Sequence, residues 1–228
     1  VAFLDLARWF VAGPGHDMGW MAGVNFRRGW VEEYVAMRHT QSGRGMDQSM
    51  RKLVMYELLS LDRVAEEPGD WMSDSGQLIF DNLGRIIARQ DDVLMGRGTY
   101  DYWVDYWPTS DVEPFATFIN QTPKHVFTSD PLTPEWANTV VIDRPATEYV
   151  AELKQTDGGD IGIHGSISLA QSLLEAALVD ELRLVIAAAI AGSGRRLFDT
   201  VGQHHGLELV EVEHTPKSSL LLTYNRAS

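Results

Sequence analysis

Residues 158–184 read GGDIGIHGSISLAQSLLEAALVDELRL: a strand, a glycine turn, a helix and a second strand in immediate succession. Gly158-Gly159 marks a turn. Ile161 and Ile163 flank the small Gly162 in a short apolar strand, which Gly165 ends. Leu169, Leu173, Leu174 and Ala177 recur at helical spacing and supply one buried face. Leu178-Val179-Asp180 closes that helix, and residues 181–190 form a long apolar run. The chemistry of the stretch lies at its turn. Glycine lets a phosphate approach the backbone, and a helix start presents unpaired N–H groups and a positive dipole end. His164-Gly165-Ser166-Ile167 is therefore a candidate phosphate cradle. Ser166 is suited to cap the helix through its hydroxyl. The same residues equally suit a plain strand-to-helix turn, because a short glycine turn is a weak signal.

The rest of the chain repeats the pattern. Residues 51–60 predict the first strand, 65–75 a loop holding Trp71, 78–89 a helix, and Val93-Leu94-Met95 a short buried strand. Gly96-Arg97-Gly98-Thr99-Tyr100 then has the logic of the later turn. A strand stops at a glycine, Thr99 is placed to cap a helix over 100–107, and Arg97 adds a fork of donors suited to phosphate. Phe115, Phe118 and Ile119 mark another short helix. Residues 124–129 and 140–143 read as strands, 146–155 as a helix and 190–198 as a glycine loop. The alternating runs 207–213 and 220–224 predict a C-terminal antiparallel pair. This order predicts an α/β fold with a mostly parallel central sheet and a late antiparallel edge. Residues 1–45 carry scattered aromatics and no motif. They are expected to be an N-terminal extension, either a helical appendage or sequence ahead of a start at Met46 or Met50.

Composition removes several functions. A net charge of −13 lacks the basic footprint of a nucleic-acid-binding surface and disfavours adhesion to anionic membranes. No run approaches a membrane span. With no cysteine there are no disulfides, thiolate nucleophiles or thiolate metal sites, which fits a cytoplasmic protein. His204-His205 are adjacent and diverge in regular structure, so no metal site is expected. Two anion cradles on one sheet suit a ligand with phosphates at both ends, such as a dinucleotide. Yet GxGxxG does not follow the first strand, so a standard Rossmann domain is not expected. The cluster Tyr100, Tyr102, Trp103, Tyr106 and Trp107 reads as core or interface rather than a ring-stacking box.

SLDRVAEEPGDW, DDVLMGRGTYDYWVDYWP, FATFINQTPKHVFTS, GGDIGIHGSISLAQSLLEAALVDELRL and AGSGRRLF form an ordered series. The series resembles the dihydrofolate reductase-like family, in particular the reductase domain of the riboflavin-pathway deaminase/reductase, over residues 50–226. The resemblance implies a dihydrofolate reductase-like three-layer sandwich, often a homodimer, that binds NADPH. Such a protein reduces a small pterin-, pyrimidine- or ribosylamino-type substrate. By the resemblance, Gly96, Arg97 and Thr99 lie at the adenosine end of the cofactor, with the arginine at the 2′-phosphate. Gly165, Ser166 and Ile167 lie at the pyrophosphate, and Leu61-Asp62 near the nicotinamide. Asp62 and Asp81 are the candidate catalytic carboxyls. Asp62 is also suited to bond turn backbone, and Asp81 to sit at a helix start.

Two departures stand out. Arg63 replaces the glycine common after that aspartate, and Ala187-Ala188-Ala189 replaces bulkier residues on the substrate side. The deaminase zinc signature needs cysteine, so the bifunctional enzyme is excluded. An NADPH-binding or interaction protein with a decayed substrate site is the alternative function. Dimerisation is expected through the apolar 181–190 strand and the aromatic helix, although such a strand equally suits a sheet centre.

Overall fold

Eight strands form one sheet in the order β4-β3-β2-β5-β1-β6-β8-β7. The structure, a computed structural model, describes residues 50–227. The expected extension over residues 1–45 lies outside the described residues. The strands are β1 (Leu53–Leu59), β2 (Gln90–Gly96), β3 (Lys124–Phe127), β4 (Thr139–Ile142), β5 (Asp160–His164), β6 (Glu181–Ile186), β7 (Leu207–His214) and β8 (Leu220–Arg226). The first six pair in parallel, whereas β8 runs antiparallel to both β6 and β7. The helices are α1 (Pro68–Trp71), α2 (Gln77–Ile87), α3 (Arg97–Trp103), α4 (Phe115–Gln121), α5 (Ala146–Leu153) and α6 (Ile167–Glu175). The fold is the dihydrofolate reductase-like sandwich, mostly parallel with a C-terminal antiparallel pair.

Burial explains the three layers. All seven residues of β1 are buried, as expected for a strand covered on both faces. Val54, Tyr56 and Leu58 face one core with α2, α3 and α4. Leu53, Met55 and Leu59 face the other with α5 and α6. Strand β5 splits likewise. Ile161 and Ile163 join the second core, while Gly162 and His164 turn to the first. A Cβ at Gly162 would come within 2.2 Å of the Gln90 side-chain oxygen, so any larger residue there must displace the Gln90 amide.

The aromatic helix belongs to the interior. Tyr100, Trp103 and Trp107 are fully buried, and Trp103 packs edge-on to Trp107 and Phe115 at 6.1 and 5.6 Å. These three rings are taken up by the core, with Tyr102 and Tyr106 partly buried against it. Of the apolar run 181–190, only Glu181–Ile186 forms strand β6, which lies inside the sheet between β1 and β8. The outer end of the sheet keeps apolar side chains exposed. Leu209 and Val212 of β7 are 52% and 56% exposed. They stand opposite Tyr224 and Leu222, on the face that α5 and α6 cover farther in.

Several boundaries moved. The helix expected over 100–107 begins at Arg97 and ends at Trp103, with a separate 3-10 turn over Trp107–Thr109. Gly96 is already extended at φ −79°, ψ 157° and serves as its N-cap. The 65–75 loop contains a single helical turn, α1, started by Pro68 at a position where a missing N–H does no harm.

Trp103→Ala should lower the unfolding free energy by about 3–5 kcal/mol, measured by urea denaturation. A loss under about 1 kcal/mol would place Trp103 outside the main core.

Candidate functional site

Pairing in the sheet brings together two turns that are far apart in sequence. Strands β2 and β5 are neighbours, with Leu94 opposite Ile163. Their C-terminal ends therefore deliver Gly96 and Gly165 side by side. That crevice is where open α/β sheets receive ligands. Gly165 has φ 78°, a left-handed conformation that glycine adopts without penalty, and α6 starts two residues later.

One hydroxyl joins the two turns. Ser166 Oγ accepts from the Gly96 N–H at 2.9 Å and donates to Thr99 Oγ1 at 2.7 Å. This corrects two expectations. Ser166 occupies the N-cap position of α6, but its side chain makes no cap hydrogen bond. Thr99 is not a cap either, since it is the third residue of α3 and is buried. Cross-linking outcompetes capping because the neighbouring turn puts a donor and an acceptor within reach of the same oxygen.

The other predicted residues divide. Arg97 lies on the rim, its Nε bonded to both carboxylate oxygens of Asp101 at 2.7 and 2.8 Å. Its Nη1 donates to the Pro131 carbonyl at 3.3 Å; among the described residues Nη2 has no partner, which leaves that end of the fork for a ligand. Ile167 is buried as the first residue of α6. His164 leaves the proposed cradle. Its ring points into the first core, where Nε2 bonds Gln90 Oε1 at 2.7 Å, and burial pushes its pKa down to about 3. It is a neutral core histidine at any ordinary pH.

Asp62 is a strut. Its carboxylate accepts from Ser60 Oγ at 2.7 Å, Ala191 N–H at 2.9 Å and Gly192 N–H at 3.0 Å. The Ser60 bond, ahead of the two backbone donors, holds its pKa down near 2. Asp62 thus ties the exit of β1 to the glycine loop 190–198 and remains ionised. Arg63 beside it has φ 69°, which explains why glycine suits this position; a side chain there costs about 1 kcal/mol. Asp81 sits in the second turn of α2 rather than at its start, and accepts from Gln77 Nε2 at 2.7 Å. Among the described residues it bonds to none of the turn residues.

Two further groups border the cradle. Arg195, in the glycine loop, donates from Nη2 to Ser168 Oγ at 2.7 Å and so sets a guanidinium over the first turn of α6. The paired arginines after Gly-Ser-Gly were its only trace in the sequence. Glu57, on the α6 side of β1, is 1% exposed. Neither of its oxygens has a hydrogen-bond partner of normal geometry among the described residues. Burial pushes its pKa up to about 8, and the Gly165 N–H offsets only part of this. A carboxyl inside an apolar strand leaves no periodic signal, so sequence reasoning passed over it.

The arrangement fits an anionic dinucleotide. A left-handed glycine, a helix start and Arg195 line one turn, Arg97 rims the other, and Glu57 carries no charge beside them near neutral pH. Among the described residues, no three His, Asp or Glu side chains converge as metal ligands. Nor is any helix there long and apolar enough to cross a membrane.

Comparison with known proteins agrees with the fold. The family model for the RibD C-terminal domain matches residues 51–221. Two uncharacterized proteins of Bacillus subtilis (strain 168) are similar. YyaP is 26% identical over 185 residues, covering 77% of this chain and 95% of its own. YwjB is 27% identical over 162 residues, covering 70% and 89%. Among solved structures, a Shewanella sp. PV-4 protein provisionally assigned to riboflavin biosynthesis superposes with a TM-score of 0.64 at 19% identity, over 78% of this chain and 99% of that one. The Thermotoga maritima deaminase/5-amino-6-(5-phosphoribosylamino)uracil reductase gives 0.55 at 15% identity, over 86% and 60%. Enterococcus faecalis dihydrofolate reductase, complexed with NADP(H), gives 0.53 at 18%, over 79% and 98%. At such identities the structural likeness speaks for the fold.

Glu57 makes stability depend on pH. Its folded pKa, about 8, exceeds its ordinary value of 4.5. Its contribution is therefore complete below pH 4.5 and is lost as pH rises through about 8. Urea midpoints should decline across that window in the wild type and decline less in Glu57→Gln. Parallel curves would show that Glu57 is ionised in the fold.

Proposed function

The chain belongs to the RibD C-terminal domain family, and we propose from this that it is an NADPH-dependent reductase of a small pterin-, pyrimidine- or ribosylamino-type substrate. Residues 50–226 form its reductase domain. The observation that carries the reading is the Ser166 bridge, which joins the two glycine turns into one crevice. When bound, the cofactor supplies the hydride. The chain's own residues hold and orient. Arg97 takes the 2′-phosphate at the rim, beside Gly96 and Thr99. Gly165, Ser166 and Ile167 offer the α6 start to the pyrophosphate, and Arg195 adds charge there. A neutral Glu57 spares the pyrophosphate a buried negative neighbour.

Asp62, with its pKa held near 2, positions the glycine loop and donates no proton. Asp81 is left as the proton donor of this reading. That engagement of Asp62 also favours a second reading, in which the protein binds NADPH without turnover. The half-exposed apolar face of β7 and β8 supports a homodimer formed there. Val212→Glu should convert a two-chain particle to a single chain in analytical ultracentrifugation, and a wild-type monomer would remove the dimer.

The direct test is a fluorescence titration with NADPH and with NADH. Arg97→Ala should weaken NADPH by about tenfold or more while moving NADH by less than about twofold. An equal loss for both would remove the assigned role of Arg97. No wild-type binding of either would remove the reductase reading, and NADPH binding with no turnover on pterin, pyrimidine or ribosylamino substrates would select the second.

A further inference from the structure

The opposite ends of the strands carry a second cavity. It holds about 300 Å³ between α2 and the starts of β1, β5 and β6, within the size range of small-molecule sites. Asp160 lines it and opens β5, and Gly165 follows that strand's far end. At about 3.3 Å per residue the cavity and the cofactor crevice lie roughly 16 Å apart.

Its inner wall contains an unusual group. Asn82 lines the cavity and is only 7% exposed. Among the described residues, its amide has no hydrogen-bond partner. Its amide atoms are not sealed inside the core; they open onto the cavity, where they offer a bound molecule two donors and an acceptor. Val54 and Ile86 beside it are buried and apolar.

The remaining lining is charged in both senses. Arg89 Nε lies 3.2 Å from Asp160 Oδ2. Arg183 bonds Glu181 through Nε at 2.6 Å and reaches Glu211 at 3.7 Å. Arg85 lines the same cavity and bonds outward to Glu213. Each guanidinium has five N–H donors and each carboxylate about four acceptor sites, so these contacts leave capacity of both kinds. An anion alone would meet three carboxylates, and a cation alone three guanidiniums. A molecule with a carboxylate at one end and an ammonium at the other finds a complement at each.

The geometry points to a binding site for a small zwitterion of amino-acid type, its charged ends held by the arginines and carboxylates, its polar centre by Asn82 and its apolar part by Val54 and Ile86. This site is separate from the cofactor crevice and does not rest on the reductase reading.

Isothermal titration of the purified chain with L-leucine and L-glutamine in turn tests it. At least one should bind. Its deaminated and decarboxylated analogues, 4-methylpentanoate and 3-methylbutylamine in the case of leucine, should each bind about tenfold or more weakly. Asn82→Leu, close in outline, and Arg89→Gln, on the exposed rim, should each weaken binding by about as much. Circular dichroism like that of wild type shows that each variant is folded. The proposal is overturned if neither amino acid binds, if an analogue lacking one charge binds as well as the parent, or if both folded variants keep wild-type affinity.

Discussion

The site depends on one oxygen atom. Ser166 Oγ takes a hydrogen bond from the backbone of the first glycine turn and gives one to Thr99 in the helix that follows. Pairing of β2 with β5 sets Gly96 and Gly165 side by side, and this bond ties one turn to the other. It links the starts of α3 and α6 directly, and in the proposed function a ligand with two anionic groups would meet a preformed frame. Pre-formed donors need no rearrangement on binding, which is the main reason such frames bind well.

Around that link, other polar contacts brace the crevice. Asp62 fastens the glycine loop to the exit of β1, and the loop in turn delivers Arg195 to α6. The carboxylate that the resemblance put near the nicotinamide thus acts on geometry. Glu57 shows the complementary strategy. A charge in that place would oppose an anionic ligand, and burial keeps the group neutral instead.

Much of the fold was legible because periodicity and turn chemistry agree in this chain. Strand β5, α6 and β6 follow directly from Ile161, Ile163, the leucines of α6 and the apolar run after Asp180. The C-terminal pair follows from the apolar–polar alternation of residues 207–213, broken once at Leu209-Val210 where the register shifts. The start of α3 was not legible, because Gly96 takes an N-cap geometry that leaves Thr99 inside the helix. The cross-link itself was beyond reach, since serine and threonine at helix starts look like caps until the neighbouring turn is known. Arg63 appeared in the sequence as a departure, and its left-handed φ supplies the reason. Glu57 and Asn82 gave no signal, because a single polar residue in an apolar element does not alter its pattern. His164 misled, since a histidine beside a glycine turn suggests a ligand contact, whereas alternation in β5 sends its ring to the core.

Hydrogen–deuterium exchange with and without NADPH tests the central claim most directly. If the Ser166 bridge makes one cofactor site of two turns, NADPH slows exchange at residues 96–99 and 165–168 together in the wild type, and Ser166→Ala loses protection at both. Protection of one turn without the other, or of neither, would contradict a shared site.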